Sequence, residues 1–283
     1  MKDKIVLVTG ANSGTGKATV AKLADMGATV IMLCRSEARG KQAWHDIMQQ
    51  PGRDVRLMLC DLASMNSIRE FAKSFRSEYA HLDVLINNAG VITPDRQETQ
   101  DGLELQFGVN HIGHFMLTLL LLDLLKKASA GRIVVVGSGA HKVGRIHFND
   151  FNLKKYSVIK AYGQSKLANL LFVRELDRRL KEKGIPVTVN AAHPGAVATQ
   201  MGIDRHTQYG KGIVRLLKPF FLKPEEGART AVYLASSDLA AGMSGQYFYK
   251  CKVAKSSKRS RDMVSAKRLF ELSENLCGVR FDD

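Results

Sequence analysis

The chain has 283 residues, is 45% hydrophobic and carries a formal net charge of +15. That length suits one large core in a single α/β domain spanning 1–283, and the longest apolar stretch, 115–125, is broken by Thr118 and Asp123 and is too short to cross a bilayer. Cys34, Cys60, Cys251 and Cys277 are scattered without paired spacing, which excludes a disulfide framework or a metal centre and implies reduced thiols in a cytoplasmic protein.

In chain order, apolar runs of strand length fall at 4–9, 28–34, 55–60, 82–87, 131–137, 185–192 and 245–249. The first begins so early that no signal peptide or N-terminal anchor is expected before it. Between the runs lie helical patterns near 14–26, 37–49, 64–79, 101–127, 160–183 and 225–236. Strand–helix alternation predicts a doubly wound parallel sheet of about seven strands with helices on both faces. The unalternating runs Ile5–Val8, Val84–Ile86 and Ile133–Val136 read as central strands. Gly27 and Gly184 punctuate helix ends, and Ser64 and Ser67 suit a helix entry. Long non-sheet segments are expected at 139–159 and 196–224.

Residues 250–268 hold Lys250, Lys252, Lys255, Lys258, Arg259, Arg261, Lys267 and Arg268 against Asp262, about half of the net charge. The block reads as a solvated, mobile C-terminal extension (about 250–283), with an anionic lipid or nucleic acid as the alternative partner. No zinc-finger spacing or RNA-binding motif accompanies it, so no nucleic-acid partner is expected.

Thr9-Gly-Ala-Asn-Ser-Gly-Thr-Gly16 follows a strand and opens a helix, the context in which a glycine turn cradles a pyrophosphate on free helix N–H groups. A tight structural turn without ligand is the plainer alternative. Further on, Tyr162 and Lys166 are four apart and share a helix face. A lysine ammonium about 4 Å from the phenol contributes roughly 4 kcal/mol at an effective dielectric near 20. That would lower a tyrosine pKa of about 10 by about three, enough for acid/base work. Taken alone, such a pair is ordinary surface decoration.

The glycine turn, with Tyr162-x-x-x-Lys166 downstream, resembles the short-chain dehydrogenase/reductase family over about residues 4–250. Thr15 stands where that family has an apolar residue and is expected to pack through its methyl group. The resemblance implies a Rossmann-type fold and a nicotinamide cofactor held by Gly10, Asn12, Ser13, Gly14, Thr15 and Gly16. It further implies that Asp61 and Leu62 contact adenine, that Asn88, Ala89 and Gly90 line the cofactor, and that Pro194, Gly195, Val197 and Thr199 lie by the nicotinamide, whose ribose Tyr162 and Lys166 also hold. The catalytic set it implies is Asn110, Ser138, Tyr162 and Lys166. In it Tyr162 protonates a carbonyl oxygen, Ser138 steadies that oxygen, and Asn110 organises a helix kink. His111, His114 and His141 read as structural or pocket-lining, with no metal implied.

The second strand ends in Cys34-Arg35, with no acid before Glu37 to bind a ribose 2′-hydroxyl. A guanidinium there holds a 2′-phosphate, so NADPH is expected over NADH, with Ser13 and Arg39 as helpers. A plain surface arginine is the alternative.

Within the family, Leu33-Cys-Arg-Ser36, Asn110-His-Ile-Gly-His-Phe115, Gly144-Arg-Ile-His147 and His193-Pro-Gly195 resemble the retinol dehydrogenase branch. Membrane-bound members there carry an N-terminal anchor, which is not expected here, so a soluble carbonyl reductase of an apolar aldehyde or ketone is implied. The segment 196–224 is expected as an amphipathic lid touching a membrane surface, or else as core packing or a dimer contact. Homodimer pairing through 101–127 and 160–183 is also implied. The competing reading is a non-catalytic nucleotide-sensing or interaction protein on the same fold.

Overall fold

The computed structural model describes residues 1–195 and 222–282. Strands β1 (Ile5–Thr9), β2 (Thr29–Cys34), β3 (Asp54–Leu59), β4 (Val84–Asn87), β5 (Arg132–Val136), β6 (Thr188–His193), β7 (Tyr247–Tyr249) and β8 (Lys252–Val253) form one sheet. Their order is β3-β2-β1-β4-β5-β6-β7-β8. β1 through β7 are parallel, and β8 returns antiparallel to β7. All seven expected strands form, and β8 is an eighth that the basic block concealed.

Among the described residues the helices are α1 (Gly14–Asp25), α2 (Glu37–Met48), α3 (Met65–Glu78), α4 (Leu105–Phe107), α5 (Gly113–Leu120), α6 (Leu122–Lys127), α7 (Val158–Glu182), α8 (Pro224–Ser236) and α9 (Met263–Cys277). Alternate strand residues point to opposite faces, which splits the core in two. Val6, Val8 and Ile86 pack with Val20 and Leu23 of α1, Ile47 of α2 and Leu234 of α8. Leu7, Leu85 and Ile133 pack with Phe75 of α3, Phe115 of α5, Leu171 of α7 and Phe270 of α9. Ser64 caps α3 by accepting the Ser67 N–H at 3.3 Å.

Two expectations are corrected. The stretch 101–127 is not one helix. α4 runs into a π-helical turn, Gly108–Ile112, which continues as α5, and Leu121 separates α5 from α6. The extra residue per turn is accommodated where the Asn110 side chain binds the Val91 backbone, accepting its N–H at 2.7 Å and donating to its carbonyl at 3.1 Å.

The basic block is not a mobile tail. After β8 and a 3₁₀ turn, Arg259–Arg261, the Asp262 side chain caps α9 by accepting the Val264 N–H at 3.1 Å. Ala266, Leu269, Phe270, Ser273 and Cys277 form its buried stripe. Phe270 meets Phe115 edge-on at 4.8 Å, and the Arg179 guanidinium lies 4.0 Å from the Phe270 ring centroid. α9 thus covers part of the α5 and α7 surface on which homodimer pairing was expected.

The segment 139–159 begins with a 3₁₀ turn, Gly139–Lys142, and is tied to its surroundings. Gln164 of α7 accepts the His147 N–H at 2.9 Å and donates to the Phe151 carbonyl at 2.8 Å. The Tyr156 hydroxyl donates to the Thr93 carbonyl at 2.6 Å. The four cysteines are free. Among the described residues no helix is long and apolar enough to cross a membrane, and no group of side chains is disposed to hold a metal.

Candidate active site

The strand order reverses between β1 and β4, and the carboxyl ends of those strands open a crevice there. It is a cleft of about 330 Å³ lined by Gly10, Asn12, Ser13, Gly14, Thr15, Arg35, Arg39, Asp61, Leu62, Asn88, Ala89 and Gly90. The structure therefore brings together every expected cofactor residue that precedes β5 except Gly16. Gly16 acts from behind: a Cβ there would stand 2.4 Å from the Gly10 carbonyl oxygen, so α1 could not sit so close to the turn. A Cβ on Gly10 would stand 2.8 Å from the Ala89 Cα.

Ser13 precedes α1 with extended backbone and makes no side-chain cap, so the first-turn N–H groups are left facing the cleft. Arg35 directly follows β2 and is exposed. Neither Arg35 nor Arg39 forms an ion pair with a described residue. Asp61 is partly committed, one carboxylate oxygen accepting the Ala63 N–H at 3.0 Å.

Thr15 has a polar role that the sequence reading did not name. Its hydroxyl donates to the Asn88 Oδ1 at 3.0 Å while the Asn88 amide donates to the Thr9 carbonyl at 2.8 Å. The hydroxyl works as a polar clip across the turn.

The four expected catalytic residues converge on the carboxyl end of β5. Ser138 lies just past that strand and its Oγ accepts the Ala140 N–H at 3.2 Å. Its side chain is near enough to the Tyr162 phenol to act on the pKa of that group. Lys166 is 2% exposed, and its ammonium donates to the Val136 carbonyl at 3.1 Å. Asn110 also donates to the Ser165 Oγ at 3.1 Å, and Ser165 donates to the Tyr162 carbonyl at 2.9 Å. The π turn is thereby fastened to the helix that carries the tyrosine.

The electrostatics differ from the sequence estimate. Burial pushes the Tyr162 phenol above its usual range, against a smaller lowering from the neighbouring Ser138 side chain. Burial brings Lys166 down to about 8. The Lys166 Nζ lies 5.8 Å from the Tyr162 ring centroid and is turned to a carbonyl, so desolvation of the phenolate outweighs the ammonium's pull.

Pro194 and Gly195 follow β6, and the Gly195 N–H donates to the His193 Nδ1 at 3.3 Å. They do not line the cleft. Val197, Thr199 and all but the last residues of the expected lid 196–224 lie outside the described residues.

Sequence reasoning missed the polar ties behind the site. The Thr9 hydroxyl accepts the N–H groups of Asn88 at 2.9 Å and Ala89 at 2.8 Å. It also lies 2.8 Å from the His114 Nε2, whose ring partner Nδ1 lies 3.1 Å from the Asn110 carbonyl. A carbonyl only accepts, so Nδ1 carries the proton and Thr9 donates to Nε2. His114 is four residues after Asn110, and that spacing was the available signal. His111 packs elsewhere, its Nε2 lying 2.9 Å from the Ser273 Oγ under α9.

The chain belongs to the short chain dehydrogenase family, whose model matches residues 4–210. That family is one of hydride-transferring oxidoreductases with a nicotinamide cofactor, and this member is retinol dehydrogenase-like. It is 45% identical over 293 residues to retinol dehydrogenase 14 of Mus musculus, covering 99% of this chain and 87% of that protein. To retinol dehydrogenase 11 of Homo sapiens it is 43% identical over 281 residues, covering 99% and 87%. Among solved structures it is similar to an uncharacterised protein of Mycobacterium paratuberculosis, with TM-score 0.80 and 36% identity over 99% of this chain and 95% of that one. It is also similar to the Pseudomonas aeruginosa RhlG/NADP active-site complex, with TM-score 0.70 and 25% identity over 88% and 94%.

Proposed function

We propose that this protein is an NADP(H)-dependent carbonyl reductase/alcohol dehydrogenase acting on an apolar aldehyde or ketone, with Tyr162 as general acid/base. The observation that carries this reading is the setting of Tyr162 beside Ser138, near enough for the serine to lower the phenol pKa, with the buried Lys166 one helical turn along α7.

The cleft fits the cofactor. The first-turn N–H groups of α1 would hold the pyrophosphate, while Arg35, helped by Arg39 and Ser13, would hold a 2′-phosphate. When bound, NADPH supplies the hydride. Ser138 positions the substrate oxygen, and Tyr162 donates its proton to that oxygen. A phenol whose pKa burial has raised is fully protonated near neutrality, which suits it as the acid of the reductive direction. Lys166, with a pKa of about 8, is mostly an ammonium at pH 7 and offsets the phenolate charge that the step leaves. Asn110 holds the π turn against Val91 and Ser165. The named activity of the relatives, retinol dehydrogenase, makes retinal the first member of a substrate panel.

The test is the initial rate of NADPH oxidation across carbonyls from short aldehydes to retinal, for the native chain and Tyr162→Phe. Expected are turnover by the native chain, a loss of at least about a hundredfold in the variant, and unchanged NADPH affinity by fluorescence titration. Full activity in Tyr162→Phe would refute the assignment. NADPH binding with no turnover on any carbonyl would favour a nucleotide-sensing protein instead.

A further inference from the structure

The eight Lys and Arg side chains of 250–268 are all exposed. None forms an ion pair with a described residue. The one carboxylate among them is already occupied: Asp262 accepts the Val264 N–H at 3.1 Å and the Ser265 hydroxyl at 2.6 Å. The segment is nonetheless fixed in place by β8, the 3₁₀ turn and the buried stripe of α9. Seven net charges are therefore displayed on an ordered surface without internal neutralisation.

A second basic segment is joined to it. The Arg259 guanidinium donates to the Gly144 carbonyl at 3.1 Å, and the Ser257 N–H donates to the His141 Nε2 at 3.2 Å. The Arg268 guanidinium lies 4.2 Å from the Phe148 ring centroid. These ties set the exposed Lys142 and Arg145 beside the block, and neither of them forms an ion pair with a described residue.

Apolar side chains are interspersed with the cations. Val143 is 66% exposed, Val253 55%, Val264 79% and Met263 39%. A face that combines unpaired cations with uncovered aliphatic groups matches an interface that is anionic at its surface and apolar just beneath. Nucleic acid would neutralise the cations but leave the aliphatic groups uncovered, and no exposed aromatic ring is present there to stack on bases.

We propose that the surface formed by 142–145 and 252–268 docks the protein peripherally on an anionic phospholipid bilayer. The segment 142–145 follows Ser138 by only a few residues, and the Gly144 backbone packs against Gly163, next to Tyr162. Docking by this face would hold the Ser138–Tyr162 side of the molecule near the phase into which an apolar carbonyl partitions. The attachment itself does not depend on turnover.

The experiment is vesicle flotation of the full chain with phosphatidylcholine alone and with phosphatidylcholine containing phosphatidylglycerol, at low and high salt. Binding is expected only with the anionic vesicles and is expected to weaken with salt. The triple variant Lys252→Gln, Lys255→Gln, Lys258→Gln should bind about a hundredfold more weakly, since each surface cation contributes roughly a factor of five to ten. Val264→Ser should weaken binding several-fold at unchanged charge. Thermal melting and NADPH oxidation on a water-soluble carbonyl should be unchanged in both variants, which separates lost docking from lost folding. Equal binding to neutral vesicles, no binding to anionic ones, or undiminished binding by the triple variant would each overturn the proposal. Tighter binding to a mixed-sequence DNA duplex or to RNA than to anionic vesicles, abolished in the triple variant, would overturn it in favour of nucleic acid.

Discussion

The His141 imidazole and the Ser138 backbone share a short hydrogen bond, with Nδ1 lying 2.6 Å from the carbonyl oxygen. The carbonyl only accepts, so Nδ1 carries the proton, and Nε2 is left to accept the Ser257 N–H at 3.2 Å. Burial lowers the pKa of this ring and keeps it neutral, the form that both bonds require. His141 is thus a positioning residue. It holds the backbone that presents the Ser138 hydroxyl, and the C-terminal segment holds it in turn.

Replacing His141 by Ala should lower kcat about tenfold or more while leaving KM for NADPH unchanged, because the serine is displaced and the cofactor cleft is not. His141→Asn, whose amide nitrogen can take the place of Nδ1, should restore most of the rate. Steady-state kinetics on the two variants decides the matter. Equal losses in both would reduce His141 to a packing group against Tyr247, whose ring centroid is 5.1 Å away.

The raised Tyr162 pKa fixes the pH dependence of the two directions. The reductive direction needs the phenol, which persists through neutrality, and the Lys166 ammonium, whose pKa is about 8, so kcat/KM for carbonyl reduction should be flat from about pH 6 to 7 and fall as pH passes 8. The oxidative direction needs the phenolate, so its kcat/KM should climb with pH over the same range. Paired pH–rate profiles check this. An oxidative profile that is flat from pH 6 to 9 would contradict it.

Arg35→Asp should reverse the cofactor preference. Removing a charge-assisted, two-pronged contact to a 2′-phosphate costs about 1.5–3 kcal/mol, roughly a factor of ten to a hundred in NADPH affinity. The new carboxylate can accept from a ribose 2′-hydroxyl and favours NADH. The ratio of kcat/KM for the two cofactors is the measurement, and an unchanged ratio would return Arg35 to the status of a surface arginine.

His114 makes the fold sensitive to acid. Burial lowers its pKa from 6.5 to about 4, so between those values the unfolded chain takes up a proton that the folded chain refuses. Stability should be unaffected by this group above pH 6.5, and as pH falls to about 4 the group should cost roughly 3 kcal/mol. His114→Gln will be less stable at neutral pH, having lost the Thr9 bond, but should show a shallower decline from pH 6.5 to 4. Urea unfolding across that range tests the slope. Parallel slopes would place the acid sensitivity elsewhere, His111 being the next candidate, with a pKa lowered to about 3 by burial.

Much of this molecule is legible from its residue pattern because β1, β4 and β5 are apolar without alternation and the glycine turn follows the first of them. Of the candidate catalytic set, only Tyr162 and Lys166 stood out by their own spacing, while Asn110 and Ser138 came from the family resemblance. The break in 101–127 was not, because a π turn arises from one side chain answering a distant backbone, Asn110 to Val91, and helical periodicity carries no trace of that. β8 and α9 were hidden for another reason. Eight cations dominate 250–268 and mask the stripe Ala266, Leu269, Phe270, Ser273, Cys277, although Asp262 and Gly278 mark both of its ends. The sign of the Tyr162 shift was misread because the distance to Lys166 was guessed and burial was not visible.

The bond between His111 and Ser273 spans 162 positions, and that from Arg69 to the Cys277 carbonyl spans 208. During synthesis, residues 105–182 therefore emerge well before the helix that will cover them. Until residues 263–277 have been made, Phe115 and Phe172 lack the ring of Phe270 and are open to water or to other chains. The nascent protein passes through an interval in which its sheet is complete to β6 while one flank is still adhesive, and in that interval a chaperone has a defined hydrophobic target to hold.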